Sequence, residues 1–153
     1  MAVYFLDTSA VVKRYVAETG SAWVTSLCDP ATGHIIVISQ ATLVEAVAAI
    51  CRKARLGTIS QQDRDGLINA FRRDARRSYS LERVTSTVYS RAGDLCRTHP
   101  LRAYDAVQLA CALALASKTT SFGVPAIFVC ADTNLIGIAA TEGLATDNPE
   151  GHP

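Results

Sequence analysis

The chain has 153 residues, of which 49% are hydrophobic and 19% charged, a composition typical of a globular protein with one full core. It excludes an intrinsically disordered chain, which cannot bury enough apolar surface to fold. No stretch has the length of a membrane span and no leader typical of secretion is recognisable, so we expect a cytoplasmic protein. The five cysteines form no C-x-x-C pair and have no ligand spacing with the three histidines, which argues against a disulfide framework and a zinc site.

The net charge of +1 conceals an uneven distribution along the chain. Between Arg52 and Arg102 there are twelve Lys or Arg against five Asp or Glu, whereas the rest of the chain has three against nine. A basic middle segment is typical of a protein that contacts a polyanion, although solvated helix faces give the same pattern.

Apolar strands alternate with helices along the chain. In chain order, the pattern predicts a strand at 3–6, helices at 8–17 and 21–28, a strand at 34–38, helices at 39–56 and 60–77, a strand at 81–84, helices at 86–98 and 103–117, a strand at 126–131, a helix at 134–142 and a strand at 144–146. The helix over 103–117 is apolar on nearly every face, which indicates that it is buried.

The strongest strands are apolar on both faces, which is typical of a parallel sheet covered by helices. We therefore expect an α/β fold, a three-layer α/β/α sandwich around a mostly parallel sheet of four to five strands. One domain should span residues 1–149, followed by a frayed tail at 150–153.

Two aspartates follow the two strongest strands. Asp7 comes directly after VYFL, and Asp132 comes at the end of AIFVCA. In a parallel sheet the carboxyl ends of the strands meet at one edge, which is where α/β proteins bind ligands. Either aspartate alone is explained as a cap for the helix that follows it. The occurrence of both favours a site.

Two further acids belong to helices that should pack close to this edge. Glu45 has Ala41, Ala48 and Ala49 as neighbours on its helix face, so its carboxylate needs a partner, which we expect to be a cation. Asp105 lies in the first turn of the apolar helix, where the helix dipole by itself favours a negative charge. Since that helix should be buried, its first turn should lie near the sheet.

Four carboxylates at one edge repel one another and need a divalent cation. Oxygen ligands without Cys or His favour Mg²⁺ or Mn²⁺, and such an ion can activate water for attack on a phosphate ester. The chain has no Gly-rich phosphate loop and no G-x-S-x-G motif, which disfavours nucleotide-driven and serine-hydrolase chemistry.

The segments LDTSAVVKRY, ATLVEAVAAI, RAYDAVQLACALAL and FVCADTNLIGIAATEGL resemble, in that order, the successive motifs of the PIN-domain ribonucleases, above all the VapC-type toxins of toxin–antitoxin pairs. The resemblance extends from Val3 to about Pro149. It implies a metal-dependent endoribonuclease that hydrolyses RNA phosphodiester bonds and leaves a 5′-phosphate and a 3′-hydroxyl. It further implies a cognate antitoxin as partner and a homodimer.

The resemblance also implies roles for individual residues. The implied catalytic and metal-binding acids are Asp7, Glu45, Asp105 and Asp132. The residues implied to orient them are Thr8, Ser9, Thr133 and Asn134. Many relatives have Ser or Thr where this chain has Cys130, so Thr133 or Asn134 should compensate for a weaker hydrogen-bonding group beside Asp132.

An RNA nuclease also needs cations for the phosphate backbone, away from its acidic centre. Phe71 and Tyr79 are interleaved with these cations and are candidates to stack on bases; the alternative is core packing for Phe71 and a solvated stripe for the arginines. The same basic surface is a candidate for antitoxin binding, as the resemblance implies. The candidate cations are Arg52, Arg72, Arg73, Arg76 and Arg77.

Three alternatives differ in substrate or in activity. A PIN-type nuclease of RNA maturation or of structured DNA would carry the same acids, although the chain lacks insertions that could arch over a strand. A catalytically silent PIN-like binding module would keep only the fold. A phosphorylatable receiver domain is disfavoured, because Leu6 rather than an acid precedes Asp7 and no lysine follows Ala126 near the last strand.

Overall fold

A five-stranded parallel sheet forms the centre of the protein, and the computed structural model describes all residues from 1 to 153. The strands are β1 (Val3–Leu6), β2 (Ile35–Ser39), β3 (Ser80–Glu82), β4 (Ala126–Val129) and β5 (Ala145–Asp147). They lie in the order β3-β2-β1-β4-β5, and every neighbouring pair is parallel. The predicted sheet is confirmed, including its two short strands at the edges.

Seven α-helices cover the two faces of the sheet. They are α1 (Thr8–Val11), α2 (Ser21–Leu27), α3 (Thr42–Arg55), α4 (Gln61–Arg77), α5 (Ser86–Thr98), α6 (Ala103–Thr120) and α7 (Thr133–Thr141). Helices α1 to α4 share one core with Leu6 and Ile38, and α5 to α7 share the other with Phe5 and Phe128. The predicted three-layer sandwich is therefore confirmed. None of these helices combines the length and apolar character needed to cross a lipid bilayer.

The order of the strands reverses between β1 and β4. The chain proceeds from β1 to β2 and β3 on one side and then returns to β4 on the other. Leu6 is paired with Val129, and the Asp7 amide donates to the Val129 carbonyl at 3.0 Å. Asp7 and Cys130 thus leave the sheet side by side, at the kind of crevice where open α/β sheets bind ligands.

The first helix is shorter than the predicted span of 8–17. Helix α1 ends at Val11, and a 3₁₀ turn over Val12–Arg14 follows it. Its N-cap is Asp7, whose carboxylate accepts the Ala10 amide. The β-branched residues in this stretch weaken helix propagation, so tertiary packing decides where the helix ends.

The C-terminal segment, for which the sequence predicts a frayed tail at 150–153, makes contacts with the body of the protein. Pro149–Gly151 form a 3₁₀ turn. The His152 ring stacks on Trp23 with 4.2 Å between ring centroids, and its Nε2 lies 2.8 Å from Asp147. These contacts fix a segment whose polar composition alone predicts fraying.

Candidate functional site

Asp7 is a buried carboxylate with no cationic partner. Its side chain is 5% exposed, and Oδ1 accepts hydrogen bonds from the Ser9 hydroxyl at 2.6 Å and the Ala10 amide at 3.2 Å. Burial raises the pKa of Asp7 to about 7, and the charge of Glu45 acts in the same direction, whereas the hydrogen bonds from Ser9 and Ala10 oppose the rise. A nearby cation would restore the charged form.

Glu45, in the first turn of α3, is held by neutral donors. Its Oε1 accepts from the Gln108 amide at 2.7 Å and from the Thr8 hydroxyl at 3.1 Å. No Lys, Arg or His side chain lies within ion-pair distance of Glu45, so its partners within the protein are neutral and a cation partner stays a prediction. Burial raises the pKa of Glu45 and the charge of Asp105 adds to the rise, while the bonds from Gln108 and Thr8 limit it.

Gln108 was missed as a site residue in the sequence. Its Nε2 lies within hydrogen-bond distance of Glu45, of Thr42 Oγ1 at 2.9 Å and of Thr8 Oγ1 at 3.1 Å. Its Oε1 is buried without a partner. A buried side-chain amide normally has hydrogen-bond partners for both its oxygen and its nitrogen. The unpaired Oε1 therefore means that the contact with Glu45 costs folding free energy. The available signal was an amide in the otherwise apolar stretch between Asp105 and Ser117, three positions after Asp105 and therefore on the same face.

Asp105 and Asp132 form the other end of the acidic site. Burial raises the pKa of Asp105, the charge of Asp132 raises it further, and Arg102 opposes the rise. The Asp132 carboxylate caps α7 by accepting the backbone amides of Asn134 at 2.9 Å and Leu135 at 3.0 Å. Capping and a ligand role are compatible, because a carboxylate has further acceptor positions.

The residues proposed to orient the acids differ in what they do. Thr8 and Ser9 bond directly to Glu45 and Asp7. Asn134 supports Asp132 through its backbone, and its side-chain amide donates instead to the Pro100 carbonyl at 3.4 Å. No hydrogen bond joins the Thr133 side chain to Asp132.

Cys130 occupies a structural position between the two strand-end acids. Its Sγ accepts the Asp132 amide at 3.3 Å and lies 3.8 Å from the Ser9 hydroxyl. Ser9 Oγ in turn accepts the Ala131 amide at 2.9 Å while it donates to Asp7. Cys130 therefore supports the backbone at Asp132 rather than the Asp132 carboxylate.

Three pairs of these acids influence one another electrostatically: the charge of Glu45 raises the pKa of Asp7, that of Asp105 raises the pKa of Glu45, and that of Asp132 raises the pKa of Asp105. None of them takes part in an ion pair. As they stand, they do not make a group of three that could hold a metal ion. The donor set nevertheless fits a hard divalent cation, because it consists of carboxylate oxygens none of which is in an ion pair with Lys, Arg or His.

A basic cleft of about 520 Å³ opens beside Thr8, Ser9 and Glu45. The cations that line it are Lys13, Arg52, Lys53 and Arg102. Both lysines are paired with Glu18, and Lys13 also with Glu150. The two arginines have no acidic partner within ion-pair distance, so they are available for a phosphate.

The predicted RNA-binding residues of the middle segment lie at two separate places. Arg52 lines the cleft, whereas Arg72 and Arg76 line a groove with Leu43 and Leu81. The remaining arginines of this set, Arg73 and Arg77, are exposed on α4.

The two aromatic residues of that segment are buried. Phe71 belongs to α4 and points into the core. The Tyr79 hydroxyl lies 2.7 Å from the Tyr15 hydroxyl and accepts a hydrogen bond from Arg14 at 2.9 Å. Stacking on bases is therefore wrong for both residues, and the alternative of core packing is correct for Phe71.

Comparison with known proteins shows the family. The family model of the PIN domain matches residues 4–136. Ribonuclease VapC45 of Mycobacterium tuberculosis (strain CDC 1551 / Oshkosh) and Ribonuclease VapC49 of strain ATCC 25618 / H37Rv are each 36% identical over 118 residues, which covers 75% of this chain and 78% of theirs. The chain therefore belongs to the PIN-domain family.

Solved structures show the same fold at low sequence identity. VapBC2 from Rickettsia felis, bound to a DNA fragment from its promoter, matches 95% of this chain and 98% of its own with a TM-score of 0.63 and 13% identity. A toxin–antitoxin complex from Klebsiella pneumoniae matches 97% and 98% with a TM-score of 0.56 and 14% identity. Both likenesses concern the fold.

Proposed function

We propose that this chain is a single-domain, metal-dependent endoribonuclease that hydrolyses RNA phosphodiester bonds, and that it is the toxin of a toxin–antitoxin pair. The observation that carries the proposal is a set of four electrostatically linked acids, none of them in an ion pair, of which Asp7 and Asp132 follow the two strands at the reversal of strand order. Free energy spent on burying negative charge is typical of a functional site. The two ribonucleases with 36% identity support the RNA substrate.

The ion would be held by the carboxylates of Asp7, Asp105, Glu45 and Asp132, and Mg²⁺ or Mn²⁺ suits their oxygen atoms. When bound, such an ion lowers the pKa of a water and neutralises charge on the phosphoryl oxygens. Ser9 holds the Asp7 carboxylate, and Gln108 with Thr8 holds Glu45. These contacts fix the acids before substrate arrives, which is the preorganisation that electrostatic catalysis requires.

Arg52 and Arg102 bind the RNA backbone in this proposal. Both line the cleft that contains Glu45, and neither is neutralised by an acid. Cations next to an acidic centre compensate for its repulsion of the phosphates and supply most of the affinity. Arg72, Arg73, Arg76 and Arg77 lie on α4, apart from this cleft.

The partners follow from the relatives. The structures from Rickettsia felis and Klebsiella pneumoniae are a VapBC and a toxin–antitoxin complex by name. We propose a cognate antitoxin for this chain, a homodimer as its assembly, and the cytoplasm as its location. An antitoxin that covers the cleft would have acidic groups for Arg52 and Arg102.

The test is cleavage of ribosomal RNA, transfer RNA and branched DNA by the purified protein in parallel. We expect Mn²⁺- or Mg²⁺-dependent cleavage of RNA that stops with EDTA and with Asp7→Asn. Asn still caps α1, so the fold should persist. The matched control is Asp94→Asn, which neutralises an exposed aspartate on α5.

Cleavage by Asp7→Asn at the rate of the unmodified protein would contradict the site assignment, and cleavage of branched DNA alone would contradict the substrate. Expression in a bacterial host separates the toxin from other nucleases. We expect growth arrest by the unmodified protein and normal growth with Asp105→Asn.

A further inference from the structure

Lys13 lies in the wall of the basic cleft, next to the residues that hold the acids. Thr8, Ser9 and Glu45 line the same cleft, and Ser9 donates a hydrogen bond to the Asp7 carboxylate. The Lys13 side chain is only 3% exposed. A buried ammonium group costs folding free energy unless it is paired, so the partners of Lys13 decide what this part of the cleft can bind.

Two glutamates from different segments of the chain pair with the Lys13 ammonium. Glu18 Oε2 lies 3.2 Å from Nζ, and Glu150 Oε1 lies 3.3 Å from it. Glu18 also pairs with Lys53, whereas Glu150 has no other cation. The Glu150 side chain is 53% exposed, against 29% for Glu18. Glu150 is therefore the partner that is more easily displaced.

The backbone that carries Glu150 is fixed from outside the cleft. It belongs to the 3₁₀ turn Pro149–Gly151, which packs so closely on Gly20 that a Cβ there would lie 2.3 Å from a carbonyl oxygen of the turn. Beyond the turn, the His152 ring stacks on Trp23. None of these contacts involves the Glu150 carboxylate. A change of its side-chain rotamer would therefore release the ammonium while the turn stays in place.

The charges of the cleft indicate what would take the place of Glu150. Four cations and three glutamates line it, so Glu150 cancels much of the positive charge that would attract RNA. A phosphate presents anionic oxygens to an ammonium as a carboxylate does. The two hydrogen bonds of Lys13 use two of its three ammonium hydrogens. An ion pair whose acid is half exposed contributes little to stability, so exchange of Glu150 for a phosphate costs little.

We propose that Lys13 is a phosphate-binding residue of this cleft, which Glu150 occupies in the free protein and yields to a phosphate of the bound RNA. Glu18 stays on the ammonium during the exchange, so the buried charge is never without a partner. The Glu150 contact is thus autoinhibitory, because RNA must displace it. The inference rests on the proposed function and adds to it a third cation for the RNA backbone beside Arg52 and Arg102.

The test measures affinity for RNA without cleavage. The probe is a fluorescein-labelled, degenerate single-stranded RNA of about twelve nucleotides, and its binding is followed by fluorescence anisotropy in EDTA. We expect Glu150→Gln to tighten binding about two- to fivefold, because it removes the competitor for Lys13. Lys13→Met should weaken binding about fivefold at ~0.1 M salt and reduce the slope of log K against log salt by about 0.7, which is the loss of one phosphate contact.

The decisive variant combines the two changes. If Glu150 competes for Lys13, Glu150→Gln should bring no gain once Lys13→Met has removed the ammonium. The matched control is Asp65→Asn, which changes the net charge of the protein by the same amount. Asp65 lies on α4, is 64% exposed and pairs with Arg64, so its replacement should not change RNA binding. Should Lys13→Met fail to fold, Glu150→Gln with this control still decides the question.

Unchanged or weaker RNA binding by Glu150→Gln would overturn the inference, and so would a gain that persists in the double variant or appears equally in Asp65→Asn. An oligoglutamate peptide serves as a second probe. If Glu150→Gln tightened binding of the peptide but not of RNA, Lys13 would belong to an acidic protein partner and the inference would fail. Failure of the proposed function is a separate result, namely the expected pattern of RNA binding in a protein that cleaves no RNA with Mn²⁺.

Discussion

Replacement of Gln108 by methionine tests whether this residue positions Glu45 or only fills space. Methionine has a similar unbranched shape but no hydrogen-bond donors, so packing inside α6 should persist. The change removes the Gln108 bond to Glu45 at 2.7 Å and the bonds to the Thr42 and Thr8 hydroxyls. It also removes the orphaned Oε1.

The effects on stability nearly cancel. An amide nitrogen has two hydrogens, so it fully satisfies only two of its three acceptors. A bond to a charged acceptor contributes about 1.5–3 kcal/mol and one to a hydroxyl about 0.5–1.5 kcal/mol, while a buried unsatisfied carbonyl costs about 1–3 kcal/mol. We therefore expect Gln108→Met to lower the free energy of unfolding by about 1 kcal/mol, and by no more than about 3.5 kcal/mol.

The effect on the site is larger. A hydrogen bond to a carboxylate favours its charged form, so removal of the Gln108 bond raises the pKa of Glu45 further. Loss of a group that orients a metal ligand typically costs about 10- to 100-fold in affinity or activity. Gln108→Met should weaken Mn²⁺ binding by such a factor and move its onset to higher pH.

The assay combines urea unfolding with Mn²⁺ titration calorimetry at several pH values. The control is Thr42→Val, which removes a hydroxyl that bonds Gln108 and Ser39 but not Glu45. It should change stability by about 1 kcal/mol and leave Mn²⁺ affinity intact. Unchanged Mn²⁺ affinity in Gln108→Met would refute the positioning role, and a loss of stability above ~4 kcal/mol would refute the balance of hydrogen bonds.

Two further predictions concern the ordered C-terminal residues. Gly20→Ala should destabilise strongly in urea unfolding, because Gly20 has φ of 85° and a Cβ there would lie 2.3 Å from the Pro149 carbonyl oxygen. The control Gly33→Ala places a Cβ in open space at a similar φ and should lower the free energy of unfolding by only ~1–2 kcal/mol. Equal losses in the two variants would show that Pro149 moves aside and that the close contact is unimportant for stability. Lys13→Met removes an ammonium that is 3% exposed and paired with two glutamates, so we expect a loss of about 2 kcal/mol. The control Lys118→Met removes a surface lysine paired with one glutamate and should lower the free energy of unfolding by less than ~1 kcal/mol. A loss as large as that of Lys13→Met would contradict the importance of burial.

Much of the fold was predictable because its strongest signals are local. Strands β1 and β4 are apolar on both faces, and this pattern alone indicates a buried parallel sheet. Once both strands are parallel, Asp7 and Asp132 must follow them at one edge, and the sheet pairing confirms this. The roles of these acids as metal ligands stay predictions.

The features that the sequence did not reveal depend on contacts between segments that are far apart along the chain. The hydrogen-bond partner of Glu45 is Gln108, 63 positions away. A carboxylate is stabilised by an amide or by a cation, and only the packing of α3 against α6 determines which of the two lies beside Glu45. Phe71 could have been assigned to the core, since Ile68 and Ala75 lie on its helix face at helical spacing. The ordered tail depends on Trp23 and Lys13, which no local pattern connects to it.

The pH dependence of stability tests whether the acidic site is built for a cation. Burial raises the pKa of Asp7 from its ordinary 3.8 to about 7, which corresponds to ~4 kcal/mol. Because the folded protein holds this proton more tightly than the unfolded chain, the contribution of Asp7 is fully present below pH 4 and is lost as the pH rises through about 7. Glu45 and Asp105 act in the same direction.

In urea unfolding with EDTA, we therefore expect Asp7→Asn to gain stability over the unmodified protein as the pH rises from 5 to 8, whereas Asp94→Asn follows the unmodified protein. At pH 8, Mn²⁺ at 100 times its dissociation constant should restore about 2.7 kcal/mol to the unmodified protein and much less to Asp7→Asn. Parallel pH profiles for Asp7→Asn and the unmodified protein would mean that Asp7 ionises at no cost. The charge would then already be compensated within the protein, and the site would have no need of an ion.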